Sequence, residues 1–597
     1  MKDKIVCYWI GLILPGFLAC TQPDKGLETP PNIVLILADD QGYGDLGCTG
    51  NPILRTPHLD SMAANGAFFE HFFVSAVCSP TRAELLTGRY AVRSGVYGTS
   101  EGRERIDLGE LTLADCFKGA GYQTAAFGKW HNGMQHPYHP NDRGFEEFVG
   151  YCSGHWGSYF DAMLEHNGEP LQTQGFLTDV LTDQAMNFIE KNQHEPFLLY
   201  LPLNTPHSPM QVPDQWWRRF DSLDIPSHRY TSRENLVHTR AAYAMVENID
   251  WNVGRLGAKL RELGLADNTI VIYLSDNGPN GWRWNAGLEG IKGRVDEGGV
   301  RSPLMMAWPG KIKNTNIGQV AGSIDLLPTL LDLAGIPQKT SNPLDGTSLK
   351  PLLMGDSVRW PDRMLVNHWR GKTSIRSQRY RLGTDGDLFD MEADPGQTQD
   401  LREVFPLVAK AMENEKRRWE DEVLAELATS DSRPFSVGFA PGQVDQLPAR
   451  DAKPHGNIRR SNRWPNCSFL TNWQSETDSI SWEIEVLNNG EYEVELWYTC
   501  TKEQSGTQLS LNFMGQAVEA KIEEAFNPPL RGAEHDRVIR EESYVKDWAS
   551  LTFGKIYLGK GQGKLTLRAK RLPQAGGPEV RMILLRSQVQ KTSINES

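Results

Sequence analysis

Between residues 31 and 340, short unbroken apolar runs take turns with stretches of helical period. "NIVLILA" (32–38), "YQTAAFG" (122–128), "PFLLYLPL" (196–203) and "NTIVIYLS" (268–275) are continuous rather than alternating, the pattern of strands covered on both faces. Between them, "LTDVLTDQAMNFIEKN" and "AMVENIDWNVGRLGAKLREL" place apolar residues at helical spacing. Buried strands alternating with amphipathic helices predict an α/β domain, residues 31–358, with a mainly parallel central sheet flanked by helices. Over residues 359–427 the pattern becomes strand, tight turn, strand in "SIRSQRYRLGTDGDLFDMEADPG", then a charged helix near 405–427. This reads as a small α+β subdomain. The Pro-rich, polar stretch 428–460 reads as a linker. Past it the period is two: Trp482, Ile484 and Val486 alternate, "NNG" turns the chain, and Tyr492, Val494, Leu496 and Tyr498 alternate back. Residues 461–590 are therefore expected to form a C-terminal β-sandwich. By architecture it is either carbohydrate-binding-like or a purely structural appendage.

The chain has 597 residues, too many for one core. Its formal net charge of -13 argues against a nucleic-acid-coating surface, yet leaves room for a local basic pocket that takes an anion. The first twenty residues, "MKDKIVCYWIGLILPGFLAC", read as an export signal, with an apolar run too short for a comfortable membrane span. The ending "FLAC" reads as a lipoprotein signal with Cys20 as the lipidated residue; simple cleavage and release is the alternative. The expected location is the periplasm or an outer-membrane anchor, alternatively the medium. The remaining cysteines form no C-x-x-C pair, so no zinc cluster is expected. Cys467 and Cys500 are a candidate disulfide within the late domain.

Each buried strand is followed by polar residues. Asp39 and Asp40 follow the first, Lys129 and His131 the second, His207 the third, Asp276 and Asn277 the fourth. Ligands of open parallel sheets bind at these carboxyl ends. Singly, such residues are helix caps, turn formers or loop histidines. Together, three carboxylates and an amide oxygen suit calcium, or less well magnesium. "VCSPTRAELLTGRY" (77–90) adds a helix start, with Ser79 as the expected N-cap, Pro80 as the first helical residue and Gly88 as the terminator. A helix N-terminus favours an anion, and Arg82 adds a permanently charged fork beside Cys78. A buried structural cysteine before an ordinary helix is the competing reading.

"CSPTRAELLTGRY" resembles the signature of the type I sulfatases, C-x-P-x-R followed by T-G-R. "DDQGYGD", "GKWH", "TPHSP", "SDNG" and "GIKGRVDEGGVRSP" follow the family's order over about residues 31–427. The resemblance implies an alkaline phosphatase-like fold and a sulfuric ester hydrolase. It also implies that Cys78 is oxidised to formylglycine (3-oxoalanine) by a formylglycine-generating or radical maturation enzyme. A plain alcohol nucleophile would end as a stable sulfate ester, whereas a hydrated aldehyde can expel sulfate through its second hydroxyl. By the same resemblance, Asp39, Asp40, Asp276, Asn277 and modified Cys78 hold one Ca²⁺. Arg82 anchors the nucleophile, and Lys129 and Lys292 hold sulfate oxygens. His131 takes a proton in the release step, and His207 with Lys292 protonates the leaving alcohol. Ser153 in "GYCSGH" matches a serine that contacts the nucleophile in some members.

The expected substrate is a sulfated polysaccharide or its oligosaccharides, for instance an algal one such as ulvan. Trp282 and Trp284 are expected to stack on a sugar, Arg283 to meet an anion, and His368 and Arg370 to reach the cleft from the small subdomain. Two other readings compete. One is a phosphatase or phosphonate monoester hydrolase on the same scaffold; the other is a non-catalytic sugar-binding protein.

Overall fold

The computed structural model describes residues 29–225, 232–340, 342–355, 360–427, 433–440 and 443–587. The export signal, Cys20 and parts of the expected linker lie outside these residues.

The strands of the main sheet are β1 (Asn32–Ala38), β2 (Ala67–Phe73), β3 (Gln123–Lys129), β4 (Glu147–Tyr151), β5 (Met163–His166), β6 (Glu169–Gln172), β7 (Phe197–Pro202), β8 (Thr269–Ser275), β9 (Arg301–Ala307), β10 (Thr315–Ile317) and β11 (Ala321–Gly322). They run in the order β10-β2-β9-β8-β1-β7-β3-β4-β5-β6, with β11 paired to β2. The centre, β8-β1-β7-β3-β4, is parallel, and the flanks are largely antiparallel. The unbroken apolar run of β1 is explained by its surroundings. Ile33, Leu35 and Leu37 enter one hydrophobic core, and Val34, Ile36 and Ala38 enter the other. Alternate side chains of a strand face opposite ways, so a strand buried on both faces must be apolar throughout. Helices Cys78–Thr87 and Leu326–Leu333 cover the first face, and Leu177–Lys191 and Leu236–Glu262 cover the second.

The small sheet is antiparallel: β12 (Leu365–Trp369), β13 (Lys372–Arg376), β14 (Tyr380–Leu382) and β15 (Leu388–Asp390), backed by helix Pro406–Val423. Glu297 of the "DEGGVR" segment joins it to the main domain. Its carboxylate meets the buried guanidiniums of Arg376 (3.3 Å) and Arg381 (2.9 Å). Burial opposes ionisation of Glu297, but Arg376, Arg381 and Arg301 hold it down to about 2.

The C-terminal region forms two sheets of six strands each among the described residues, closed over one core that includes Trp482, Ile484, Val494 and Leu496. It begins earlier than the sequence suggests. Phe435–Val437, Val444–Pro448 and Lys453–His455, expected as linker, are strands of these sheets. Their prolines sit where a ladder tolerates them, at a strand end (Pro448) and on a three-residue edge strand (Pro454). Cys467 and Cys500 are both free thiols. The Cys467 thiol donates to the carbonyl of His155 in the main domain (3.2 Å), and that of Cys500 to Thr501 (3.2 Å).

Candidate active site

The adjacent strands β1 and β8 end at the same level, with Ala38 opposite Ser275, so Asp39 and Asp40 emerge beside Asp276 and Asn277. All four are buried, none more than 1 % exposed. The Asp40 amide donates to Asp276 Oδ1 (3.1 Å), and Asn277 Nδ2 to Asp40 Oδ1 (2.8 Å). Asp40 adopts a left-handed backbone, φ 69°, a strained choice for a non-glycine residue that recurs at functional sites. Cys78 enters from the side as the first residue of helix Cys78–Thr87, all ten residues of which are buried. Oxygens of Asp39 and Asp276 and the Cys78 sulfur lie within 4.8 Å of one another, as do oxygens of Asp39 and Asp40 and a His207 nitrogen.

The helix begins earlier than expected. Val77 in extended conformation is its N-cap and Ser79 lies inside the first turn, its hydroxyl unpartnered. The cysteine, not the serine, thus occupies the end where the free N–H groups gather. Gly88 terminates the helix at φ 68°, as its type suggests.

Three cations balance the three carboxylates. Arg82, fully buried, forks onto Asp276 Oδ2 (2.7 and 3.1 Å) and donates to the carbonyl of Lys129 (2.6 Å). Lys129 Nζ meets Asp39 Oδ2 at 2.7 Å, and Lys292 Nζ meets Asp40 Oδ1 at 2.6 Å. Burial, with Asp276 and Asp40 nearby, raises Asp39 well above the usual carboxylate range despite Lys129. Burial works against Asp40 too, but Lys292, His207 and Lys129 overcome it and hold Asp40 below that range.

Buried acceptors without partners test whether a metal fits. Asp39 Oδ1, Asp40 Oδ2 and Asn277 Oδ1 have no hydrogen-bond partner, and orphaned buried oxygens are costly unless something else engages them. An all-oxygen set of carboxylates and an amide fits a hard divalent cation such as calcium.

Above this floor opens a cleft of about 610 Å³, lined by Cys78, His131, His207 and Lys292. His131, also left-handed at φ 63°, contacts the Thr99 carbonyl through Nε2 (2.8 Å) and leaves Nδ1 unpartnered. Burial and the Lys129 charge push it well below the usual imidazole range. His207 Nδ1 donates to the Ser208 carbonyl (2.6 Å), turning Nε2 toward Asp40 Oδ2 (3.6 Å). Burial and Lys292 likewise lower His207. A separate cavity of about 310 Å³ between the main domain and the sandwich contains none of these residues.

The expected substrate contacts divide. Arg370 lines the cleft, together with its neighbour Trp369. His368 does not: its ring bonds Thr373 (2.9 Å) and lies against Trp419. Arg283 is no anion reader, because it is buried and spent on Asp45 (2.5–3.0 Å) and on the carbonyl of Asp40 (3.0 Å). It holds the loop that follows β1 instead. Trp282 is flanked by the Arg233 and Arg294 guanidiniums, and Trp284 packs near Gly50; neither lines the cleft. Ser153 is turned away, its hydroxyl donating to the His155 carbonyl (2.6 Å). Gly154 takes the place beside His131: a Cβ there would lie 2.2 Å from His131 Nε2. Gly154→Ala is therefore expected to displace the imidazole and lower kcat by about 100-fold with the circular dichroism spectrum unchanged. Wild-type kcat in this variant would show that the ring need not hold its place.

Sequence reasoning missed Gly154, His155 and Trp369, and every cleft residue contributed by the sandwich. The first two follow β4, another parallel strand whose carboxyl end reaches the same edge, and that position was the available signal.

Comparisons with known proteins identify the family. The family model "Sulfatase" matches residues 31–336, and "N-sulphoglucosamine sulphohydrolase, C-terminal" matches residues 292–418. The chain is 34% identical to N-acetylgalactosamine-6-sulfatase of Sus scrofa over 389 residues, 58% of this chain and 70% of that protein. It is 34% identical to arylsulfatase A of Bos taurus over 425 residues, 62% of this chain and 78% of that protein. Among solved structures, Ps i-CgsB in complex with k-i-k-neocarrahexaose superposes with a TM-score of 0.60 at 29% identity, covering 66% of this chain and 93% of that one. A signature cysteine, an oxygen cage and a family match over half the chain converge: the chain belongs to the sulfatase family and is a sulfuric ester hydrolase.

Proposed function

We propose that the protein removes sulfate esters from a sulfated polysaccharide or its oligosaccharides, using formylglycine made from Cys78 and one calcium ion. The observation that carries the reading is the meeting of Cys78 with carboxylate oxygens of Asp39 and Asp276 within 4.8 Å, under a cleft bearing His131, His207 and Lys292. When bound, calcium on Asp39, Asp40, Asp276 and Asn277 would polarise sulfate oxygens, and the formylglycine would supply a nucleophile able to release sulfate. The chain's own groups do the rest. Arg82 fixes Asp276 and, through the Lys129 carbonyl, the end of β3. Lys129 and Lys292 offer ammonium groups where charge gathers on sulfate oxygens. His131, kept neutral by burial, has Nδ1 open to accept a proton. His207 is anchored through Nδ1. A sulfate ester's negative charge beside it favours its protonated form, which can then hand a proton to the departing oxygen next to Lys292.

The glycan substrate is supported by two findings. A relative is named N-acetylgalactosamine-6-sulfatase and a solved neighbour holds k-i-k-neocarrahexaose. The cleft is lined by Trp369 and Trp464, each with a guanidinium, Arg370 and Arg463, over one side of its ring, and aromatic rings suit sugar rings. Algal glycans, ulvan among them, fall within this class. Export and lipid attachment at Cys20 belong to the same proposal and rest on residues 1–20 of the sequence alone. No helix among the described residues is long and apolar enough to cross a membrane.

The test is turnover of 4-nitrophenyl sulfate, 4-nitrophenyl phosphate and a panel of sulfated oligosaccharides by protein whose Cys78 conversion is verified by mass spectrometry. Sulfate esters should be preferred; faster turnover of the phosphate would overturn the reading. Chelation should lower turnover by about 100-fold, with calcium restoring it. Unchanged turnover in protein shown to be metal-free would remove calcium from the proposal.

A further inference from the structure

Both family matches end by residue 418, yet the C-terminal sandwich forms part of the cleft. Trp464 and residues 538–542, the latter in the connection between strands Gln516–Lys521 and Ala549–Leu558, line it together with Cys78, His207 and Lys292. This wall is fixed in place. Arg540 forks onto Asp536 (2.5 and 2.7 Å) and donates to the carbonyl of Gly157 in the main domain (2.5 Å). Gln211 of the main domain donates to the Gly532 carbonyl and to Asp536, both at 2.8 Å.

Two groups on this side have no role in the chemistry above. Glu542 of the sandwich, half-buried, accepts from the Ser208 hydroxyl through Oε1 (2.6 Å). His155 of the main domain lies with its ring 5.6 Å from that of His207. Both its ring nitrogens are buried without a hydrogen-bond partner, although it is only 6 % exposed. Its backbone is held from both sides, by the Ser153 hydroxyl and the Cys467 thiol. An acceptor carboxylate and an unpartnered imidazole in one cleft are the groups that bind sugar hydroxyls.

Charge narrows the ligand further. The floor is cationic where sulfate must sit, with Arg82, Lys129 and Lys292. On the sandwich wall Arg540 is already paired with Asp536 and Glu541 with Arg463, which leaves Glu542 as the carboxylate facing this side. A second sulfate or a carboxylate on this side would face a like charge in a poorly hydrated place, whereas a hydroxyl would find an acceptor. Arg370, exposed and stacked on Trp369, lies on the small-sheet side and suits an anion there.

We infer that the sandwich builds the subsite for the sugar bearing the scissile ester, and that Glu542 and His155 select a ring whose neighbouring positions carry free hydroxyls rather than a second anion. This rests on the sulfatase reading of the site.

The test compares full-length wild type, Glu542→Ala, Glu542→Gln and Ser208→Ala, each with verified Cys78 conversion. The probes are 4-nitrophenyl sulfate, the monosulfated sugar that wild type turns over fastest among galactose and N-acetylgalactosamine isomers, and that sugar's disulfated counterpart. Glu542→Ala should lower the sugar-to-aryl ratio of kcat/KM by about tenfold. Glu542→Gln, which keeps size but not charge, should narrow the preference for the monosulfated over the disulfated sugar. Ser208→Ala should leave the sugar-to-aryl ratio as in wild type. Equal losses on sugar and aryl substrates in Glu542→Ala, matched by Ser208→Ala, would make Glu542 a support for His207 and overturn the inference. So would turnover of the aryl sulfate with no sugar sulfate accepted. Turnover of none of the three by wild type would instead overturn the underlying sulfatase reading.

Discussion

Cys78→Ser is expected to lower steady-state turnover of every sulfate ester by about 10⁴-fold or more while leaving the fold unchanged. Cys78 is 3 % exposed and opens a helix that is buried throughout, so the near-isosteric serine fits without disturbing its neighbours. Its hydroxyl would still sit beside Asp39 and Asp276. What it lacks is a way to release the product: a serine that attacks sulfur ends as a sulfate ester whose C–O bond has no second hydroxyl to break it. The expected signature is therefore at most one turnover, with the intact mass rising by one sulfuryl group. Steady turnover at wild-type rate by a verified, unmodified Cys78→Ala protein would remove residue 78 from the nucleophile's place.

Asp276→Ala should have the second-largest effect, on stability and on activity together. Asp276 is fully buried and takes both contacts of the Arg82 fork on one oxygen, while the other accepts the Asp40 amide. Its loss leaves a guanidinium buried without its partner, a change that costs about 3–5 kcal/mol. It also removes a proposed calcium ligand, so turnover should fall by about 10³-fold. Thermal denaturation separates the two roles. In wild type, calcium at about 100 times its Kd should add about 2.7 kcal/mol and raise Tm. In the variant the calcium-dependent rise should shrink or vanish. An equal rise in both proteins would show that calcium binds elsewhere.

The sequence made four of the five central parallel strands legible because each is covered on both faces, which forces an unbroken apolar run. It made the meeting of Asp39, Asp40, Asp276 and Asn277 legible because every such run ends in a polar cluster, and strand ends share one edge of the sheet. The lateral contacts were not legible. Trp282, Arg283 and Trp284 follow Asn277 by only a few residues, and proximity in sequence suggested the cleft. Arg283 instead satisfies a buried Asp45, a partner 238 positions away. Ser153 and Gly154 are one residue apart, and only packing against His131 decides which faces the site. The short strands between 435 and 455 were hidden by their prolines, since local propensity there argues against a sheet. Nothing in the period-two pattern of the sandwich announced that its connection at 538–542 returns to the catalytic edge, because that contact is purely tertiary.

The burial of the signature helix sets an order of events as the polypeptide is made. In the maturation proposed above, enzymatic oxidation of Cys78 would precede closure of the main domain, because Cys78–Thr87 is buried throughout once folded. The wall bearing Glu542 comes from the last tenth of the chain and completes the cleft only afterwards. Between these moments the nascent molecule has a finished floor and an open side. A chain cut short near residue 530 would lose that wall together with Gly561–Arg571 and Glu579–Ser587, the central strands of the two sandwich sheets.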